Sequence, residues 1–128
     1  MKLTVLPGEY SIWRLDADAP LPSIESRPFV SITRTADELS GVSLSSEVPE
    51  GAKAEAGWRC LQVEGPLPFE MTGVLAELSK TLADADIPIF VVSTYDTDYL
   101  LVKIVDLERA RAALREADHV VEGGTFNV

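Results

Sequence analysis

The stretch IPIFVVSTYDTDYLLVKIVDL, residues 87–107, constrains the fold more than any other part of this sequence. Two apolar runs, residues 87–92 and 99–105, flank the polar centre Ser93-Thr94-Tyr95-Asp96-Thr97-Asp98. That centre contains the Asp and Thr that turns favour, so the segment reads as a β-hairpin. Side chains alternate across a strand, which puts Ile87, Ile89 and Val91 on one face and Phe90 and Val92 on the other. In the second run Leu101 and Val105 oppose Leu100, Val102 and Ile104. Both faces are largely apolar. Such a hairpin must be covered on both sides, by helices on one and by further chain or a second copy on the other. Its polar tip is the first place to look for function.

A chain of 128 residues is one domain, or two very small ones sharing a core. With 46% apolar and 25% charged residues it can bury a core and is not a disordered tail. Eleven Lys and Arg against 21 Asp and Glu leave a formal charge of −10, which repels a phosphate backbone or an anionic bilayer. Neither nucleic acid nor a membrane is expected as a partner. No apolar run approaches the length of a membrane span, and MKLTVLPGEY lacks the long apolar region of a secretory signal, so a soluble cytoplasmic protein is expected. The single Cys60 allows no intrachain disulfide.

Along the chain, residues 2–6 and 10–15 read as two strands joined in a hairpin by Pro7-Gly8. Residues 16–28, rich in Asp, Ala and Pro, read as a loop, and residues 29–33 as a strand. Thr35-Ala36-Asp37-Glu38 fits a capping box, a hydroxyl facing an orphan N–H and a carboxylate reaching back, with room for about one helical turn before Gly41. Residues 42–48 return to strand, and PEGAKAEAG at 49–57 reads as a linker. Beyond it come a strand at 58–64, the loop Gly65-Pro66-Leu67-Pro68, and a helix over about residues 72–85. Met71, Leu75, Leu78 and Leu82, with Val74 beside them, recur at helical spacing as its apolar stripe. After the hairpin, Asp106 suits the N-cap of a second helix that buries Leu107, Ala110, Leu114 and Ala117 and turns Glu108, Arg109, Arg111, Arg115 and Glu116 to water. Residues 119–122 form a last strand that Gly123-Gly124 ends.

The expected order from Trp58 onward is β-α-β-β-α-β, an α+β, ferredoxin-like fold with two helices on one face of an antiparallel sheet. The expected division is a β-rich unit at 1–54, like a degenerate version of the same unit with one vestigial helix, followed by the complete unit at 55–128.

Three segments, FVSITRTADELS at 29–40, GWRCLQVEGPLPFEMTGVLAELSKTLADADIPIF at 57–90 and STYDTDYLLVK at 93–103, resemble bacterial stand-alone ACT-domain proteins akin to the CASTOR arginine sensors and, more distantly, the regulatory ACT domains of aspartate kinases. The likeness spans nearly the whole chain, and STYDTD is its most specific part. It implies a tandem ACT arrangement, no catalysis, and a small ligand, usually an amino acid, at the seam between ACT units. Carried over by position, it implies ligand contacts at Thr94, Tyr95 and Asp98 of the hairpin and at Gly73, Val74, Glu77 and Leu78 around the start of the preceding helix.

The residue types suit that role. An amino acid needs backbone N–H groups for its carboxylate and oxygens for its ammonium. A helix opening near Thr72-Gly73 offers free N–H groups and the positive end of its dipole, and Gly73 adds no Cβ to block approach. Asp98 and Thr94 could accept from an ammonium or a guanidinium, so a cationic amino acid is consistent with the set. The competing reading is that Asp96 and Asp98 only cap a tight turn and Gly73 only opens a helix. The D-x-D pairs Asp16/Asp18, Asp84/Asp86 and Asp96/Asp98 lack the Gly and distal Glu of a calcium loop and read as solvated turns, so no metal is expected. His119 and Cys60 read as packed side chains, no phosphate-binding or nucleophile-elbow motif occurs, and neither catalytic residue nor cofactor is expected. Trp13 and Trp58 read as core or dimer-seam residues, not as a stacking platform for bases. The two-sided hairpin suggests a homodimer. The alternative function is a protein-interaction or dimerisation module without a small ligand, which predicts an exposed apolar patch and no pocket at the hairpin tip.

Overall fold

The computed structural model describes residues 1–25, 28–68 and 71–124. The chain runs β1 (Lys2–Val5), β2 (Tyr10–Leu15), β3 (Ser31–Arg34), β4 (Leu39–Leu44), β5 (Lys53–Val63), α1 (Val74–Asp84), β6 (Ile89–Ser93), β7 (Asp98–Lys103), α2 (Leu107–Glu116) and β8 (Val120–Glu122). It forms two compact units, Met1–Pro7 with Arg59–Val128, and Gly8–Trp58. The expected boundary at 54/55 falls inside β5, and β1 lies with the C-terminal elements. Of the expected loop at 16–28, residues 26 and 27 lie outside the described residues.

In the larger unit the strand order is β8-β1-β5-β7-β6. From β5 to β8 the elements follow the β-α-β-β-α-β order of an α+β, ferredoxin-like fold. One core joins Leu78 and Leu82 of α1 and Leu107, Ala110 and Leu114 of α2 to Leu3, Val5, Leu61, Val63, Leu100, Val102 and Val121 of the sheet. Each fully buried Leu here contributes about 1.5–3 kcal/mol. β1 enters the sheet between β5 and β8, antiparallel to the first (Leu3↔Val63) and parallel to the second (Leu3↔Val121). The expected Pro7-Gly8 hairpin is therefore not formed: β2 pairs instead with β4 and with the Lys53–Trp58 part of β5. Leu3 and Val5 alternate with Lys2 and Thr4, and that pattern suits a slot between two strands as well as a hairpin arm.

Four further expectations change here. Met71 lies outside α1 and is 47% exposed, so the buried stripe is Leu78 and Leu82, with Val74 packed against it. Asp106 stands at the N-cap of α2, but its backbone is helical and its carboxylate accepts from Arg109 Nη2 at 3.1 Å instead of from a first-turn N–H. Arg111, expected in water, is 3% exposed. Its guanidinium donates to the Gly123 carbonyl at 3.0 Å and the Gly124 carbonyl at 3.2 Å and pairs with Glu108 at 3.3 Å, so its charge and donors are answered on site. The second arm of the hairpin also ends early. Ile104–Asp106 is a 3₁₀ turn that swings the chain into α2, leaving Val105 84% exposed.

The Gly8–Trp58 unit has the strand order β3-β4-β2-β5 and no α-helix among its described residues. Thr35 does receive N–H groups, from Asp37 at 3.1 Å and Glu38 at 3.2 Å, but Thr35 N–H also donates to the Glu38 carbonyl at 2.9 Å and the chain turns into β4. The capping residue thus closes a β3–β4 hairpin, not a helix. The expected linker 49–57 is mostly strand, because β5 begins at Lys53. Trp13 lies against Gly41, where a Cβ would run into the indole ring, and its Nε1 donates to Ser43 Oγ at 3.1 Å.

Candidate functional site

A cleft of about 260 Å³ lies in the larger unit, between the opening of α1 and the β6–β7 turn. One wall comes from the helix. Gly73, at its N-cap, has φ 88°, a left-handed conformation that a Cβ would strain, and no side chain caps the helix. The first-turn N–H groups consequently have no partner within α1, and the residues that carry them, Val74, Leu75 and Ala76, line the cleft. Partial positive charge collects at such an end.

The facing wall is the turn. Ser93, the last residue of β6, pairs with Asp98, the first of β7, and Ser93 Oγ donates to Asp98 Oδ1 at 2.5 Å. Thr94 N–H and Oγ1 both donate to the Thr97 carbonyl, at 2.8 and 3.1 Å, which closes the loop around Tyr95 and Asp96. Asp96 and Asp98 are the charged residues among those lining the cleft, and no Lys, Arg or His lines it among the described residues. Leu67, Pro68 and Met71 add an apolar side. A volume below the roughly 300 Å³ at which drug-sized pockets begin suits a ligand of few heavy atoms.

Of the residues expected to meet a ligand, Gly73, Val74, Thr94, Tyr95 and Asp98 come together around this cleft. Glu77 and Leu78 do not line it. Leu78 is fully buried beneath α1, and the Glu77 carboxylate lies 3.3 Å from His119 Nε2. Leu67, Pro68, Met71, Leu75, Ala76, Ser93, Asp96 and Thr97 also line the cleft and are not among the ligand contacts expected from the sequence. The Gly65-to-Pro68 loop signal and the polar run of the turn pointed to their neighbourhood. The buried Thr97 carried no signal of its own.

Burial pushes the Cys60 thiol up to about 12, which keeps it protonated and unreactive in the folded protein. Burial also raises Tyr99. No group of three or more His, Cys, Asp and Glu side chains among the described residues is placed to hold a metal ion. No helix among them is long and apolar enough to cross a membrane.

Comparison with known proteins fits this architecture. The sequence profile described as ACT domain matches residues 53–116, and a second profile, described as an N-terminal domain, matches residues 8–51. The solved structure of protein Atu0741 from Agobacterium tumefaciens is 40% identical, with 99% of this chain and 96% of that one covered and a TM-score of 0.89. Protein VC0802 from Vibrio cholerae, described as a possible transport protein, is 18% identical over 90% of this chain and 88% of its own, with a TM-score of 0.70. Aspartate kinase from Clostridium acetobutylicum, described as an allosteric enzyme, is 11% identical, with 85% of this chain matched to 32% of that one and a TM-score of 0.63. The last two likenesses are of fold. With half its length matched by the ACT profile and the same strand and helix order in three dimensions, the chain belongs to the ACT domain family.

Proposed function

We propose that this ACT protein is a non-catalytic regulatory sensor whose cleft takes a free amino acid. The observation that carries the reading is the pairing of an uncapped helix start at Gly73 with a turn bearing Asp98, on opposite sides of a space of amino-acid size. The ligand carboxylate takes the N–H groups of Val74 and its neighbours, where the helix dipole favours an anion. The ammonium goes to Asp98, assisted by Thr94, with Tyr95 beside them in the cleft lining. A cleft whose charged side chains are both acidic favours a cationic amino acid. Kinship with CASTOR-type arginine sensors, a cytoplasmic setting and action as a homodimer, with the Gly8–Trp58 unit as the degenerate companion of the ACT unit, belong to the same proposal. β6 pairs only with β7 among the described strands of its unit, which leaves an edge for a second copy.

A thermal-shift screen against the common amino acids tests it. Ligand at a hundred times its dissociation constant stabilises by about 2.7 kcal/mol. A folded protein that responds to none of them refutes the sensor reading. It would favour an interaction or dimerisation module, a reading that the exposed Phe90, Met71, Tyr95 and Val105 support.

A further inference from the structure

The β6–β7 turn, one wall of the cleft, meets the end of β5 and the loop after it, which lie 29 to 34 residues away in the chain. The loop after β5 and the β6–β7 turn are nevertheless joined at three points. Thr97 Oγ1 donates to the carbonyl of Val63, the last residue of β5, at 2.7 Å in a buried bond. Leu67 N–H donates to the Asp96 carbonyl at 2.7 Å. Between them Gly65 passes so close that an added Cβ would stand 3.0 Å from both the Asp96 carbonyl oxygen and Thr97 Cβ. Thr97 is 5% exposed although its neighbours in the turn, Thr94, Tyr95 and Asp96, are open to solvent. A hydroxyl buried at the tip of an otherwise exposed turn, spent on the end of another strand, is not needed to close the turn, because Thr94 already does that.

We propose that Thr97 is the positioning residue of the cleft. Its hydroxyl fastens the turn to the end of β5, so that the turn and the Gly65-to-Pro68 loop form one body before any ligand arrives. Asp96 and Asp98 are thereby held facing the start of α1, and no binding energy is drawn off to order them. Thr97 acts through these residues and through Leu67. The assignment rests on the sensor reading of the cleft, and its first readout is independent of any ligand.

The test compares wild type, Thr97→Val, Thr97→Ser and Gly65→Ala. Thr97→Val keeps the side-chain shape and removes the hydroxyl; Gly65→Ala keeps the hydroxyl and wedges the two segments apart. Amide hydrogen exchange at Leu67, followed by NMR, is expected to accelerate at least tenfold in Thr97→Val and in Gly65→Ala. Exchange at Leu82 in the helix core should stay unchanged, and Thr97→Ser should restore the wild-type rate at Leu67. Titration with L-arginine should show at least tenfold weaker binding in the two loosened variants and recovery in Thr97→Ser. Unchanged Leu67 exchange in both loosened variants overturns the fastening. Accelerated exchange with undiminished L-arginine binding overturns the positioning role. A wild-type protein that does not bind L-arginine overturns the assignment of Thr97 to a site for that ligand, even where exchange shows the fastening itself intact. Should Thr97→Val not fold, Gly65→Ala and Thr97→Ser decide the matter between them.

Discussion

Leu78→Ala separates the two roles that the α1 stripe could have. Sequence resemblance puts Leu78 among the ligand contacts, whereas the structure puts it at 0% exposure among Leu82, Leu100, Val102 and Leu114. If the core role is right, truncation loses the transfer free energy of the removed carbons and leaves a cavity in a close-packed interior, about 2–5 kcal/mol in all. Leu78 stands midway along a helix pinned by α2 on one side and the sheet beneath, so the site can collapse little and a loss of about 3 kcal/mol is expected. At about 2.1 cal/mol/K per residue, unfolding 128 residues carries an entropy of about 270 cal/mol/K, so that loss lowers Tm by about 11 °C. Urea titration followed by tryptophan fluorescence and by far-UV circular dichroism should show a lower midpoint with an unchanged slope. Amino-acid affinity, measured well below the midpoint, should be unchanged. A loss under about 1 kcal/mol, together with weakened binding, would refute the core assignment and return Leu78 to the site.

Other outcomes follow from the same packing and charge arguments. Asp98→Ala should weaken amino-acid binding by about tenfold to a hundredfold, the loss of a charge-assisted bond worth about 1.5–3 kcal/mol, with Glu77→Ala near wild type in the same calorimetric titration. Equal losses from both would contradict the placement of the ammonium. Gly41→Ala should destabilise by about 1–3 kcal/mol and red-shift tryptophan emission, because the new methyl displaces the Trp13 ring. Unchanged stability and emission would count against the Trp13–Gly41 contact. Cys60 should resist a thiol reagent at pH 8 until the protein is unfolded in denaturant. The folded thiol titrates near 12 against 9.0 for an ordinary thiol, so the folded state holds its proton more tightly. That contribution to stability is complete below pH 9 and is lost as pH rises towards 12, where denaturant midpoints should fall. Replacing Cys60 by Ala should flatten that alkaline decline.

The parts of the fold that local chemistry decides were legible. Two apolar runs around a polar centre placed β6 and β7 within about two residues, and the spacing of Leu78 and Leu82 placed α1. Partner choice was not. β1 has the same alternation whether it folds back on β2 or slips between β5 and β8, and nothing local tells the two apart. Thr35 presents its hydroxyl to two N–H groups as a helix cap would, yet Leu39 and Val42 bury better in a strand against β2, and tertiary packing decides. Arg111 looks like a solvated residue until the Gly123 and Gly124 carbonyls arrive beside it. For the cleft, the turn and Gly73 were visible as residue types that suit their positions. Thr97 was not, because its partner Val63 is far away in sequence and the bond between them exists only in the folded chain.

The central claim is that the start of α1 and the β6–β7 turn together hold one zwitterion. Two-dimensional ¹H–¹⁵N NMR during titration with the amino acid that gives the largest thermal shift reads this directly. The account predicts saturable shifts at the amides of Val74, Leu75 and Ala76 and at those of Thr94 to Asp98, all at one dissociation constant, with Leu114 and Val121 unmoved. Saturable binding that moves other amides and leaves Val74, Leu75 and Ala76 in place would contradict it.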